Sequence, residues 1–468
     1  MSQLLMMCRI SLVAIILIGC SSDDDDDDVL LDGTLQIVNA IPDSPPLTIT
    51  LIDDGAADDD DEETIIGVIS FQAATAVFTL EQRDYEINIT YVDPETGSDE
   101  NFVADIDVDI TRDKVNTLIL SGTFANPSDM LLEKTFGDID DNDDDEFELQ
   151  IVNLSTGTSL DVYFLENGES LNSPTATLSF GDSSTPVALE EEDYRLQVTE
   201  IGSDSVLYDS GSFDVPDRVR RTVVINDNVG PDAATRSAFV VTEGGTTVYP
   251  NEVARAGLRI INVIADETSA AIEVTDSATL LVIEAVTLDF TDITDFLTVE
   301  PNFISVTLDI SSLPGETFDS TVSLNEDAYF TIITAGSAEE DEDGDNTIAI
   351  RAASTEQRAI ATTANIQFVN ALTETDLTDF DRVDFYALEI GDSLSDSAPT
   401  FSQIEFLEGS NTALPATAFD FVVTTAGTQS ILAGPTRLNL EGATSLFVIA
   451  VEASGGGKPN QIIVHTTQ

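Results

Sequence analysis

Histidine occurs once, at His465, tryptophan not at all, and cysteine only as Cys8 and Cys20. Ser-His-Asp triads, Cys-His pairs and histidine-rich zinc sites would all have to be built around His465. That residue closes the apolar run Ile462-Ile463-Val464-His465, and as part of a last strand it is expected to face solvent. Positive charge is equally scarce. Lys and Arg number 17 against 88 Asp and Glu, a formal net charge of -71. Such a surface repels phosphate backbones and anionic headgroups, which excludes nucleic acid as a partner and favours cations or basic surfaces. Helical periodicity is nearly absent. With 42% hydrophobic residues the chain can still bury several cores, and its 468 residues allow roughly three or four domains.

The N-terminal segment reads as an address. Arg9 precedes a largely apolar run, Ile10–Ile18, which is too short to span a bilayer as a helix. Leu17-Ile18-Gly19-Cys20 resembles the bacterial lipobox, in which the cysteine is acylated and becomes the first mature residue. Residues 1–19 are then a lipoprotein signal peptide, and Cys20 is the lipidation site. Loss of Cys8 with the signal leaves no pair for a disulfide. Ser21, Ser22 and Asp23–Asp28 follow, a run that extends by self-repulsion, so residues 20–33 form an acidic tether. Ser21 directly after the cysteine resembles the outer-membrane sorting pattern of Gram-negative lipoproteins. The expected location is the outer membrane, lipid-anchored, on its cell-surface or periplasmic face.

A self-similarity search uncovers four copies of one unit. Leu35-Gln36-Ile37-Val38-Asn39-Ala40 recurs from Leu149, Leu258 and Ile366, at intervals of about 110 residues. Each opening is followed by an alternating segment, at Leu47–Leu51, Leu160–Phe164, Ala270–Val274 and Val383–Ala387. An apolar-x-Phe triplet then ends at Phe71, Phe180, Phe290 or Phe406, and an aromatic-led strand begins at Tyr85, Tyr194, Phe303 or Phe419. A further apolar strand follows at Thr117–Leu120, Thr222–Ile225, Tyr329–Ile333 or Leu446–Ala450. The period of two throughout is that of half-buried strands. The expected fold is all-β: four tandem antiparallel β-sandwich (Ig-like) domains, with roughly seven strands in each. Their expected extents are residues 34–136, 148–247, 256–362 and 363–468, with an acidic linker at 137–147.

Leu35-Gln36-Ile37-Val38-Asn39-Ala40-Ile41-Pro42-Asp43-Ser44-Pro45-Pro46 resembles the start of the domain of unknown function 4397. Ile69-Ser70-Phe71 and Leu178-Ser179-Phe180-Gly181 fit that family's Ser-Phe element. The Pro-Asp-x-Pro turn is kept only in the first unit; Ser155-Thr156-Gly157, Ala265-Asp266-Glu267 and Leu372-Thr373-Glu374 replace it. The resemblance implies secreted or lipid-anchored bacterial proteins built of β-sandwich modules, without an established enzymatic activity.

The repeated Phe and Tyr positions are expected in the cores, and Asn39, Asn153, Asn262 and Asn370 are expected to bond the turn that follows each opening strand. Acidic clusters fall at Asp58–Glu63, Asp138–Glu146 and Glu339–Asp345. Asp138, Asp140, Asn142, Asp144 and Glu146 alternate as oxygen donors that could wrap calcium, without the glycine or terminal glutamate of an EF-hand. No other cofactor is indicated. A glycosidase-like carboxylate pair needs no histidine, but 88 acids nominate none in particular. Ser454-Gly455-Gly456-Gly457-Lys458 lacks the spacing of a phosphate loop and reads as a hairpin turn. The sequence thus points to a non-enzymatic envelope lipoprotein, an acidic multi-domain rod for adhesion, matrix contact or envelope organisation. Its partners are the membrane, through the lipid, and a protein or matrix component. The alternatives are a calcium-dependent binding protein with cations at the acidic joints and a carboxylate-based hydrolase.

Overall fold

The computed structural model describes residues 32–53, 62–135, 146–157, 159–166, 168–232, 235–339, 346–355, 358–373 and 382–466. Among them every regular element is a strand, and no helix is long and apolar enough to cross a membrane. The strands form eight sheets, two per repeat, and each pair of sheets encloses its own core. The chain is therefore four tandem β-sandwiches, here called modules one to four. In module one the first sheet is centred on Gly33–Asn39 and Lys114–Thr123, and the second runs Glu62–Ile69, Leu47–Asp53, Arg83–Val92, Asp99–Ile110. Modules two to four repeat this plan.

The opening strand of each module lies parallel to the strand that comes late in its repeat. Gly33–Asn39 pairs with Lys114–Thr123, Glu146–Asn153 with Arg220–Asp227, Ala256–Ile264 with Tyr329–Gly336, and Thr363–Asn370 with Thr444–Val451. All other pairings are antiparallel. One parallel pair per sandwich is possible because the intervening chain crosses to the other sheet and returns, the long connection that parallel neighbours need.

Consecutive apolar residues in the opening strand break the period of two because both faces are covered. Ile37, Ile151, Ile260 and Phe368 point into their own cores. The next residues, Val38, Val152, Ile261 and Val369, point outward and are equally buried, each against another module. Val38, Ala40 and Ile119 of module one meet Val224, Phe239 and Val241 of module two. Ile261, Val263 and Ile333 of module three meet Val369, Phe447 and Ile449 of module four. Modules two and three touch through polar groups, with the Tyr329 hydroxyl donating to Gly230 O at 3.1 Å and Asn228 Nδ2 to Asp327 Oδ1 at 3.2 Å.

These contacts tie the modules to one another directly. The turn of module one reaches the link between modules three and four, where Ala361 N donates to Asp43 O at 2.8 Å. Hydrophobic sheet faces left open by each sandwich are the physical reason, since covering them removes apolar area from water. The linker expected at 137–147 is also shorter at its end: the strand starts at Glu146, because Phe147 fills the core of module two.

The four asparagines close each sandwich. Asn39 Oδ1 accepts from Ile41 N at 3.0 Å, Asn153 from Ser155 N at 2.9 Å, Asn262 from Ile264 N at 3.2 Å and Asn370 from Leu372 N at 3.2 Å. Their Nδ2 groups cross to the second sheet and donate to the carbonyls of Ile69, Leu178, Leu288 and Ile404, at 3.5, 3.0, 3.0 and 3.3 Å. The first residue of each apolar-x-Phe triplet is thus both core and clamp partner.

Core packing of the repeated aromatics holds for Tyr85, Tyr194 and Phe419, and fails for the rest. The strand ends at the first or second residue of the triplet, so the Phe lies beyond it and leaves the core face: Phe180 is 47% exposed, and Phe290 and Phe406 pack at the joint of modules three and four. Phe303 is 58% exposed because Ile304 takes the inward position; a one-residue shift along a strand reverses the face.

Directly after the triplets, Gln72, Gly181, Thr291 and Leu407 all have positive φ, at 60, 79, 74 and 58°. Each donates its N–H at 2.7 to 2.8 Å to the carbonyl of the clamp asparagine. Only glycine adopts this backbone without strain, and a β-branched residue is the worst case. Thr291→Gly is therefore expected to raise stability by about 1 kcal/mol, and Gly181→Thr to lower it by about the same. A Cβ at Gly181 meets nothing within 4 Å, so the backbone alone is tested. Denaturant midpoints of the two variants against the parent chain measure both; unchanged midpoints would refute the strain.

Candidate functional site

Cys20, Asp138, Asp140, Asn142 and Asp144 lie outside the described residues, as do most of the acidic clusters at 58–63 and 339–345. Of the proposed calcium ligands Glu146 alone is described. It opens the first strand of module two, where its carbonyl accepts Arg218 N at 2.8 Å. Among the described residues no group of three or more His, Cys, Asp or Glu side chains is placed to hold a metal ion. The glycine cluster is a hairpin turn, with Gly455, Gly456 and Gly457 all at positive φ; Gly455 N donates to Ala265 O of module three at 2.6 Å.

The functional geometry lies at the joints between modules, where the second residue of the opening motif acts in modules one, three and four; in module two Gln150 Nε2 donates to Ser184 O of its own module at 3.1 Å. Gln36 Nε2 donates to Thr75 O at 3.2 Å and to Thr242 O of module two at 3.0 Å. Gln367 Nε2 donates to Ser354 O of module three at 3.0 Å. At the same place in module three stands Arg259. Its Nε donates to Thr331 Oγ1 at 3.0 Å, and its guanidinium carbon lies 4.4 Å from the ring centroid of Phe296 and 5.4 Å from that of Phe447 in module four. Arg259 is 3% exposed, and burial lowers its pKa to about 10. Stacking on two rings offsets part of the desolvation that a lone buried cation suffers.

His465 belongs to this joint, which corrects the expectation that it faces solvent. The last strand, Gln461–Thr466, lies beside Thr444–Val451, whose outer face packs on module three. His465 is half-buried, with Nε2 sealed from water and without a hydrogen-bond partner. Burial, and then the nearby Arg259 charge, push its pKa below the ordinary value.

On the other side of the joint a cleft opens around Arg358. Arg358 Nη1 donates to the carbonyls of Pro42 at 3.0 Å and Ser44 at 2.9 Å, and its guanidinium carbon stands 5.7 Å from the Phe71 ring centroid. Burial lowers its pKa, with Asp43 acting in the opposite sense. Ser44 is itself buried, accepting from Asn39 Nδ2 at 2.9 Å. The Pro-Asp-Ser-Pro turn peculiar to the first unit is thus the part of module one that docks on the link before module four. Asn365 Nδ2 donates to Arg358 O at 3.1 Å and fixes that link from the other side. The cleft holds about 580 Å³ and is walled by modules three and four.

Sequence reasoning missed Arg259 and Arg358. The available signal was rarity: an Arg in the otherwise Gln-bearing second position of the motif, and another in the short stretch before the fourth opening. Arg218, Arg220 and Arg221 were a further concentration of scarce positive charge. Arg220 lies 3.9 Å from Glu148 and 3.7 Å from Glu243, while Arg221 Nη1 donates to the Tyr249 hydroxyl at 3.0 Å. With Lys134, whose Nζ is 3.5 Å from Glu148, Arg220 helps to fasten modules one and two.

The first module carries the Pro-Asp-Ser-Pro turn and the Ser-Phe triplet on which the resemblance rests. Residues 33–163 match the model described as Domain of unknown function (DUF4397). The match runs on through the first strand of module two and into its second, Leu160–Glu166. No curated protein matches the chain. Among solved structures, the Bacillus anthracis TIE protein is similar at 11% identity and TM-score 0.15, over 89% of this chain and 69% of that one. A putative cell adhesion protein from Bacteroides uniformis is similar at 9% identity and TM-score 0.19, over 45% of this chain and 98% of that one. The streptococcal ancillary pilin follows at 11% identity and TM-score 0.14, over 63% and 96%.

His465 makes the joint of modules three and four sensitive to acid. Its folded pKa is below the unfolded value of about 6.5, so it contributes stability above that pH and loses it as pH falls toward the folded value. A thermal melt series from pH 7.5 to 5 should show wild type falling relative to His465→Gln. Parallel curves for the two proteins would contradict it.

Proposed function

We propose that this protein is a non-enzymatic, lipid-anchored protein of the bacterial cell envelope, serving in adhesion, matrix contact or envelope organisation. The observation that carries the reading is where its recurring polar residues act. The four clamp asparagines join sheets, and Gln36, Gln367, Arg259 and Arg358 join modules, Arg259 through the Phe447 ring, so the repeated chemistry serves construction. The lipobox-like Cys20 and the aspartate tether supply the anchor in this reading. An excess of 88 acids over 17 basic residues keeps the exposed faces hydrated and apart from anionic membrane surfaces. The test is protease shaving of intact cells, with mass spectrometry of the released peptides and metabolic labelling with a palmitate analogue. Label lost in Cys20→Ser and peptides released from all four modules are expected, while periplasmic controls remain intact. Unlabelled wild type would remove the lipid anchor, and full protection would move the protein to the periplasmic face.

A second reading adds calcium at the joint of modules one and two, on the alternating donors Asp138, Asp140, Asn142, Asp144 and Glu146. It predicts a higher melting temperature in calcium than in sodium chloride of equal ionic strength, abolished by Asp140→Asn with Asp144→Asn. Equal melting points in the two salts would sink it.

A further inference from the structure

We propose that the cleft around Arg358 binds a neutral polyhydroxyl ligand, a short stretch of saccharide, through side-chain amides. Its volume of about 580 Å³ falls within the roughly 300–1,000 Å³ usual for small-ligand sites. In a chain with 88 acidic residues, no described residue lining this cleft carries a carboxylate. A cation therefore finds no counter-charge there. An anion finds only Arg358, whose Nη1 already donates to two carbonyls and which stands near Asp43.

What the cleft offers instead is neutral hydrogen bonding. Asn325 and Asn411 both line the cleft, one from each module; both are exposed, and among the described residues their amides have no hydrogen-bond partner. Gln367 lies beneath the lining, its Nε2 held by Ser354 O and its Oε1 sealed from solvent, so it shapes the floor of the cleft and offers a ligand nothing. Each amide provides two donor hydrogens and a carbonyl acceptor. A sugar hydroxyl both donates and accepts, so a row of hydroxyls matches such a lining. An ionised carboxylate only accepts, and leaves the carbonyl oxygens of Asn325 and Asn411 without a donor. Ile360 and Leu446 give the apolar contact that the C–H faces of a pyranose ring need. The walls are already fixed by Arg358 and Asn365, so little ordering accompanies binding. This gives the matrix-contact reading a ligand class, and rests on that reading only for where the ligand would be met.

The experiment uses the processed full-length protein in detergent micelles. Neutral di- to tetrasaccharides of gluco, galacto and manno configuration, their uronate counterparts and an extended peptide are compared by saturation-transfer NMR and calorimetry. Binding of a neutral saccharide is expected, reduced about tenfold or more in the Asn325→Ala, Asn411→Ala double variant. Its unfolding midpoint should equal that of wild type, because neither amide has a hydrogen-bond partner among the described residues. No neutral saccharide bound at millimolar concentration, equal binding by the double variant, or binding of the peptide alone would each overturn the proposal. No cell is involved, so failure here leaves the envelope reading standing, and failed shaving or lipid labelling leaves the cleft standing.

Discussion

An asparagine side chain sealed between two sheets must satisfy its amide inside the protein, and that requirement organises all four modules. The oxygen holds the turn after the opening strand, and the nitrogen holds the end of a strand in the opposite sheet. The same residue's main-chain carbonyl accepts from the residue after the Phe, which forces that residue into a left-handed backbone. Leaving any of these groups unpaired in a dry interior would cost about 1–3 kcal/mol, so the turn, the strand end and the strained residue stand or fall together. Sequence varies freely around this knot. Gln72, Gly181, Thr291 and Leu407 share little except the place they occupy.

Once the clamp fixes the opening strand in the centre of its sheet, the outward face of that sheet needs a cover. Alternation alone would put polar residues there. The repeats instead place Val38, Val152, Ile261 and Val369 outward, and the modules associate in two pairs through these faces. Pairing buries apolar area without enlarging any single core, a solution open to small sandwiches that cannot grow inward. The acidic surface then meets water, and four of the scarce basic residues stand at the joints while others pair within a module, as Arg83 does with Asp53 and Arg437 with Asp420. Arg220 and Lys134 meet Glu148 between modules one and two, while Arg259 and Arg358 serve the joint of modules three and four.

That joint concentrates the unusual chemistry of the chain. One side buries a guanidinium between aromatic rings beside the single histidine. The other opens into a neutral, amide-bearing cleft stabilised by the turn of module one. Neither feature belongs to one module. Both arise where the second motif residue, a position whose side chain leaves its own sandwich, meets a neighbour.

The sequence by itself determined the fourfold repeat, the all-β class and the clamp asparagines, because each is written in local pattern: a period of two, a recurrent string, an Asn ahead of a turn. It also marked the lipobox-like cysteine and the acidic runs, which are matters of composition. Tertiary structure alone decided which apolar residues face inward and which face a neighbouring module, since Ile37 and Val38 look alike until both surfaces of the strand are occupied. The displaced Phe180, the shifted register at Phe303 and the half-buried His465 follow from strand ends and packed faces that no local window contains. The cleft was illegible for the same reason. Asn325 and Asn411 are brought to Arg358 by contacts between modules, and nothing in the separate surroundings of the two asparagines in the chain sets them apart from other polar residues in loops and edge strands.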